Sequence, residues 1–151
     1  MLSLSHTVIS LPFALIFTNN PLLVFIAAFI THLILDMILH WNIYPHHYKN
    51  YPFFLVGLDV LSGLLVSYLL LHNTLFTLPV LAAIAGGNMP DILHAFWSFM
   101  GKKKQKRTPR FVQAAFQFHE DIQWETESPL LGGLSQVIIG GIAILLTLAL
   151  R

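Results

Sequence analysis

The sequence predicts an all-α, polytopic membrane helical bundle of about five spanning helices plus a short interfacial amphipathic helix, in a single transmembrane domain. Three observations lead there. Hydrophobic residues make up 56% of the 151, and mean hydropathy is +0.70. Charged residues reach only 10%, against roughly 25% in a typical globular domain. Several apolar runs approach the ~20 residues that a helix needs to cross hydrocarbon. The runs are continuous rather than alternating, which disfavours a transmembrane β-barrel. The chain has no cysteine, and this excludes disulfides, iron–sulfur clusters and thiolate zinc sites.

The first span is expected over residues 3–18. Its leading residues, Met1-Leu2-Ser3-Leu4-Ser5-His6, hold no Lys or Arg, so a retained helix is expected rather than a cleaved signal peptide. It is short and contains Pro12, which fits a tilted or partly embedded helix. Asn19-Asn20-Pro21 turns the chain into the second span, 21–40. Residues 41–52 form an aromatic, His-rich loop with Trp41, Tyr44, His46, His47, Tyr48, Lys49 and Tyr51. The third span covers 52–72 and the fourth 75–100. Gly86-Gly87 and Pro90 are expected to interrupt the fourth, through a freed backbone and a missing donor.

Lys102-Lys103-Lys104-Gln105-Lys106-Arg107 is the strong charge run. It reads as a positive-inside signal that also suits anionic lipid headgroups, and it is too short to point to nucleic acid. Thr108-Pro109 reads as N-cap and N1 of the interfacial helix, about 108–126. There Phe111, Ala115, Phe118 and Ile122 make an apolar stripe, and Gln113, Gln117, Glu120 and Asp121 lie opposite. Ser128-Pro129 repeats the cap signal and opens the last span, 129–150, where Gly133, Gln136 and Gly140 share a packing face.

His32, Asp36 and His40 recur at every fourth residue of the second span. Positions i, i+4 and i+8 share a slowly drifting helix face, and polar residues at membrane depth are costly and tend to be functional. If the basic run is cytoplasmic, the N-terminus is too. Spans 2 and 4 then end on that side with Asp36, His40, Asp91 and His94, while spans 1 and 3 begin there with His6 and Asp59. Trp41, Tyr44, Tyr51, Trp97 and Trp124 mark the same level as an aromatic belt. A weak internal repeat, Asp36-Met37-Ile38 against Asp91-Ile92-Leu93, pairs spans 1–2 and 3–4 as two facing hairpins.

The expected metal ligands are therefore His6, His32, Asp36, His40, Asp59, Asp91 and His94. Asn88 and His119 are further candidates, His119 entering from the interfacial helix as a lid. Asp36, Asp91 and His94 are expected to carry the catalysis. Imidazole and carboxylate without thiolate suit a divalent transition metal, zinc first and manganese or iron next. From His32 to His40 is roughly 12 Å at about 1.5 Å per residue, so one ion cannot take all three residues from a straight helix. Two ions could, at the roughly 3.5–4 Å spacing of dinuclear sites.

Ser5-His6, His32-x3-Asp36-x3-His40 and Gly86-Gly87-Asn88-Met89-Pro90-Asp91-x2-His94 resemble the motifs of predicted membrane-bound metal-dependent hydrolases, over about residues 1–97. The His-x3-Asp-x3-His element is also similar to the ligand helix of zinc-dependent phospholipases C, which cleave phosphodiesters. Leu93 departs from the hydrolase pattern Pro-Asp-x-Asp-His at its second acidic position. The resemblance implies hydrolysis of a phosphoester or ester, and the location of the site points to a lipid-like substrate in a multi-pass protein of the cytoplasmic membrane. Three other classes stay open. One is an ion or proton transporter using the intramembrane His/Asp cluster. Another is a haem-binding protein with axial histidines, His6 with His40 or His32 with His94. The third is a structural or assembly membrane protein whose polar residues only fix helix packing.

Overall fold

The computed structural model describes residues 1–43 and 52–151. Tyr44, His46, His47, Tyr48, Lys49 and Tyr51 of the expected aromatic loop lie outside the described residues. Those described form seven helices and no strand: α1 (Ser3–Ile16), α2 (Pro21–Asp36), α3 (Pro52–Leu71), α4 (Leu78–Phe99), α5 (Lys102–Gln105), α6 (Arg110–Ile122) and α7 (Pro129–Ala149). The all-α expectation is met. Among the described residues, however, only two stretches are long and apolar enough to cross a membrane, Phe54–Leu71 and Pro129–Ala149, rather than five. α1 and α2 are apolar but have 14 and 16 residues. At about 1.5 Å per residue α1 reaches roughly 21 Å, short of a ~30 Å hydrocarbon core.

α1 is the central element. It packs against α2, α3, α4 and α7, while α2 lies along α4. Ser5 through Pro12 and Ala14 are all buried, as is usual for a helix surrounded by others. One apolar cluster joins Leu11, Ala14, Val24, Leu70, Leu71, Val80 and Ala83; a second joins Met1, Val8, Ile9, Leu35 and Ala143. α3 rests on α1 and α7 rather than on α4, so spans 3 and 4 do not close into the second hairpin that the internal repeat predicts.

Gly86 and Gly87 do not break α4, which runs continuously from Leu78 to Phe99 with Pro90 inside it. Their role is close approach. A Cβ at Gly86 would strike the Phe25 carbonyl on α2, and one at Gly87 would strike the Ser10 hydroxyl and the His6 carbonyl on α1. Two bare backbone positions thus let three helices meet beside the polar cluster.

Two helix ends follow their sequence signals. Asn20 accepts a hydrogen bond from the Leu23 N–H and precedes Pro21 at the start of α2. Ser128 does the same for Leu131 ahead of Pro129 in α7. Two ends do not. Thr108 does not cap α6; its hydroxyl donates to the Gln105 carbonyl at 2.7 Å, and Pro109 stands at the cap position. α2 stops at Asp36 instead of His40. In a continuing helix the His40 N–H would donate to the Asp36 carbonyl. Here that carbonyl accepts from the Trp124 N–H at 2.8 Å, and the His40 N–H donates to the Trp124 carbonyl at 3.0 Å. The segment after α6 has taken both partners.

α6 lies within its expected range but presents a different face. Phe111 and Phe118 point outward. Phe116 stacks on Trp97 of α4, with ring centroids 4.5 Å apart at 12°, and His119, one turn along, is buried.

Candidate metal centre

The last turn of α2 carries His32 and Asp36, one helical turn apart on the same face. Both side chains are fully buried. α4 brings Asp91, one-third exposed, and α6 brings His119. One ligand atom from each of His32, Asp36, Asp91 and His119 lies within 4.8 Å of the others, so the group could hold a metal ion. His32 Nε2 is 3.1 Å from Asp36 Oδ2 and 3.6 Å from Asp91 Oδ1. His119 Nε2 is 3.3 Å from Asp36 Oδ2 and 3.8 Å from Asp91 Oδ1. The two imidazoles thus address the same pair of carboxylate oxygens.

Hydrogen bonds behind the rings decide which nitrogen faces inward. A carbonyl only accepts, so His32 Nδ1–H donates to Gly87 O at 2.7 Å. In neutral His32 this leaves Nε2 as a lone pair aimed at carboxylate lone pairs, an arrangement that calls for a proton or a cation between them. His119 Nδ1 meets His94 Nδ1 at 3.0 Å, while His94 Nε2 lies 3.5 Å from Glu120 Oε1. The Glu120 carboxylate favours a proton on His94 Nε2. His94 Nδ1 then accepts from His119, whose Nε2 is left bare toward the cluster. Outer partners that fix ring orientation in this way are characteristic of metal-binding histidines.

The other sequence candidates separate. His6, fully buried on α1, places Nε2 3.3 Å from Asp36 Oδ1 and 3.8 Å from Asp91 Oδ2. The Met1 amino group also reaches Asp36 Oδ1, at 3.1 Å. His94 stands behind His119. Asp59 accepts from the Ser3 and Leu4 N–H groups at 2.7 and 3.1 Å, so it caps α1, whose own N-cap residue Leu2 supplies no side-chain bond. Asn88 ties α4 to α1, accepting from the Ser3 hydroxyl and donating to Thr7 Oγ1.

His40 is drawn away by the ending of α2. Its Nδ1–H donates to Ile38 O at 2.8 Å, and its Nε2 is 3.9 Å from Glu125 Oε1. Burial holds His40 below the usual imidazole range, favouring the neutral ring.

His119 carries the weakest sequence signal of the group. It sits on the flank of the Phe111/Ala115/Phe118 stripe, next in sequence to Glu120 and Asp121, and reads as an interfacial residue. The available clue is Phe116 at i−3, which marks a second inward stripe. Glu120 has no signal of its own beyond its place on the polar face of α6.

A cavity of about 760 Å³ adjoins the cluster. Asp59, Asn88, Asp91 and His94 line its polar part, and Val56, Val60, Leu64 and Ile92 its apolar part. It lies between α3 and α4. No protein family, curated protein or solved structure matches the chain.

Proposed function

We propose that this chain is an integral-membrane metal-dependent hydrolase acting on a phosphoester or ester of a lipid-like substrate at the cytoplasmic leaflet. The observation that carries this reading is the buried convergence of His32, Asp36, Asp91 and His119. Two imidazoles and two carboxylates suit zinc, with manganese or iron as the next choices. A bound divalent ion supplies an activated water and stabilises negative charge developing on the substrate. The chain's own residues do the rest. His32 and His119 are held with Nε2 inward by Gly87 and His94. Asp36 is sealed from solvent, so it organises the centre. Asp91 is one-third exposed and lines the cavity, which places it on the side of the centre that a substrate would reach. His94, between His119 and Glu120, orients His119.

The cavity supports the lipid-like substrate, because Asp91 of the cluster lines its polar part and Val56, Val60 and Leu64 of α3 line its apolar part. The outward faces support a membrane setting. Leu22, Ile26, Ile30 and Ile34 form an exposed apolar stripe on α2, and Phe111 and Phe118 do the same on α6. In this reading the shorter α1 and α2 are inner or tilted elements of the bundle, with the basic segment of α5 at the cytoplasmic surface. The two histidine pairs of the haem alternative have their inward nitrogens engaged elsewhere: His32 Nε2, of the His32/His94 pair, faces His119 Nε2 at 3.3 Å, and His6 Nε2, of the His6/His40 pair, faces Asp36 Oδ1 at 3.3 Å.

Elemental mass spectrometry on detergent-purified protein tests the centre. At least one transition-metal ion per chain is expected, and none in an Asp36→Ala/Asp91→Ala variant. Metal-free wild-type protein would sink the hydrolase reading and turn attention to proton flux. Sidedness has its own check. A cysteine placed at Gln105 should react only from the cytoplasmic side, and labelling from outside would invert the topology.

A further inference from the structure

We infer that the centre takes two metal ions, the second held by His6 with Asp36 and Asp91 as bridges. This rests on the metal-centre reading above and adds a second site to it. The four-residue group uses one oxygen of each carboxylate, Asp36 Oδ2 and Asp91 Oδ1. His6 Nε2 faces the other oxygen of each, Asp36 Oδ1 at 3.3 Å and Asp91 Oδ2 at 3.8 Å. Both carboxylates are therefore approached by imidazole nitrogen from two sides, as bridging carboxylates in a dinuclear site would be.

A second, independent observation concerns the His6 ring. It is 1% exposed, and neither of its nitrogens has a hydrogen-bond partner. A buried imidazole ordinarily donates from one nitrogen and accepts at the other. His6 Nε2 lies close to two carboxylate oxygens without hydrogen-bond geometry, as nitrogen and oxygen donors do when they converge on a common ion.

The spacing agrees. The His6 and His32 rings stack with centroids 3.8 Å apart at 25°. Ions taken by adjacent, nearly parallel rings would sit at about that separation, which matches the roughly 3.5–4 Å of two-metal hydrolytic sites. His40, placed by sequence spacing as the opposite ligand to His32, gives way to His6 in that role.

Cobalt(II) titration of metal-stripped full-length protein tests this. Wild type should bind two ions per chain, and the filled form should show magnetic coupling between them by electron paramagnetic resonance. His6→Ala and the more conservative His6→Gln should each retain one ion, uncoupled, with helical content unchanged by circular dichroism. A wild type that saturates at one ion overturns the second site and leaves the hydrolase reading intact. Two ions retained in both variants remove His6 from the site. No cobalt bound by wild type overturns the metal centre as a whole, and this is distinguishable because it needs no variant. If both variants misfold, the coupling signal in wild type alone decides.

Discussion

α1 and α7 are two apolar helices put to opposite uses. α1 buries nine of its 14 residues, and these include His6, Ser5, Thr7 and Ser10. α7 buries only four of 21, and its polar Gln136 points inward while Leu130, Val137 and Leu145 are exposed. The inner helix is short and carries buried polar side chains. The outer one is long and offers an apolar surface. Gln136 joins them, accepting from the Leu2 N–H and the Ser5 hydroxyl and donating to the Trp41 carbonyl. The difference teaches that two apolar helices of one chain can differ widely in burial. A helix surrounded by protein tolerates polar side chains because its neighbours satisfy them.

The largest expected effect separates the inner cluster from the outer surface. Asp36→Ala should abolish metal binding, because every imidazole of the centre addresses that carboxylate. Leu145→Ala, on the exposed face of α7, should leave the metal content of purified protein at the wild-type value. Equal losses in both would mean that metal binding tracks general stability and not the cluster.

Glycine substitutions sharpen the same contrast at smaller amplitude. Gly87→Ala should destabilise by about 1–3 kcal/mol, the usual range for overpacking, because the new methyl meets α1 backbone. Gly140→Ala on α7 meets nothing within 4 Å and should be neutral or stabilising by up to about 1 kcal/mol, since alanine is the better helix former. Chemical denaturation of the two variants in one detergent checks the sign. A neutral Gly87→Ala would show that α1 and α4 can separate freely.

An effect smaller than that of Gly87→Ala concerns the start of α1. Asp59→Ala removes the acceptor for two backbone N–H groups and should cost about 0.5–2 kcal/mol, as loss of a helix cap does. Metal stoichiometry should hold. A loss of metal in Asp59→Ala at unchanged stability would instead return Asp59 to the ligand set.

Much of the fold and part of the centre were legible from the chain. Asn20-Pro21 and Ser128-Pro129 mark helix starts because capping is local and needs only a few residues. His32 and Asp36 were readable as a pair because a helix fixes the relation of i and i+4. Asp91 was readable from its place after Pro90, although the role of the glycines was not. Gly86-Gly87 looks like a break from the sequence, but the constraint comes from α1 and α2, whose distance no local pattern records. His119 was obscured because the stripe with the greater apolar content faces outward and the stripe with Phe116 faces α4.

By itself, then, the sequence determined an all-helical, strongly apolar chain with a His–Asp pair on one helix turn, since composition and local hydrogen bonding suffice for both. The tertiary structure decided where α2 ends and which histidines join that pair. The Asp36 carbonyl can bond its own helix or the Trp124 N–H, and only the packing of a distant segment selects between them. Once Trp124 takes it, His40 leaves the helical face, and His6 and His119 are the imidazoles that the neighbouring helices bring to the carboxylates.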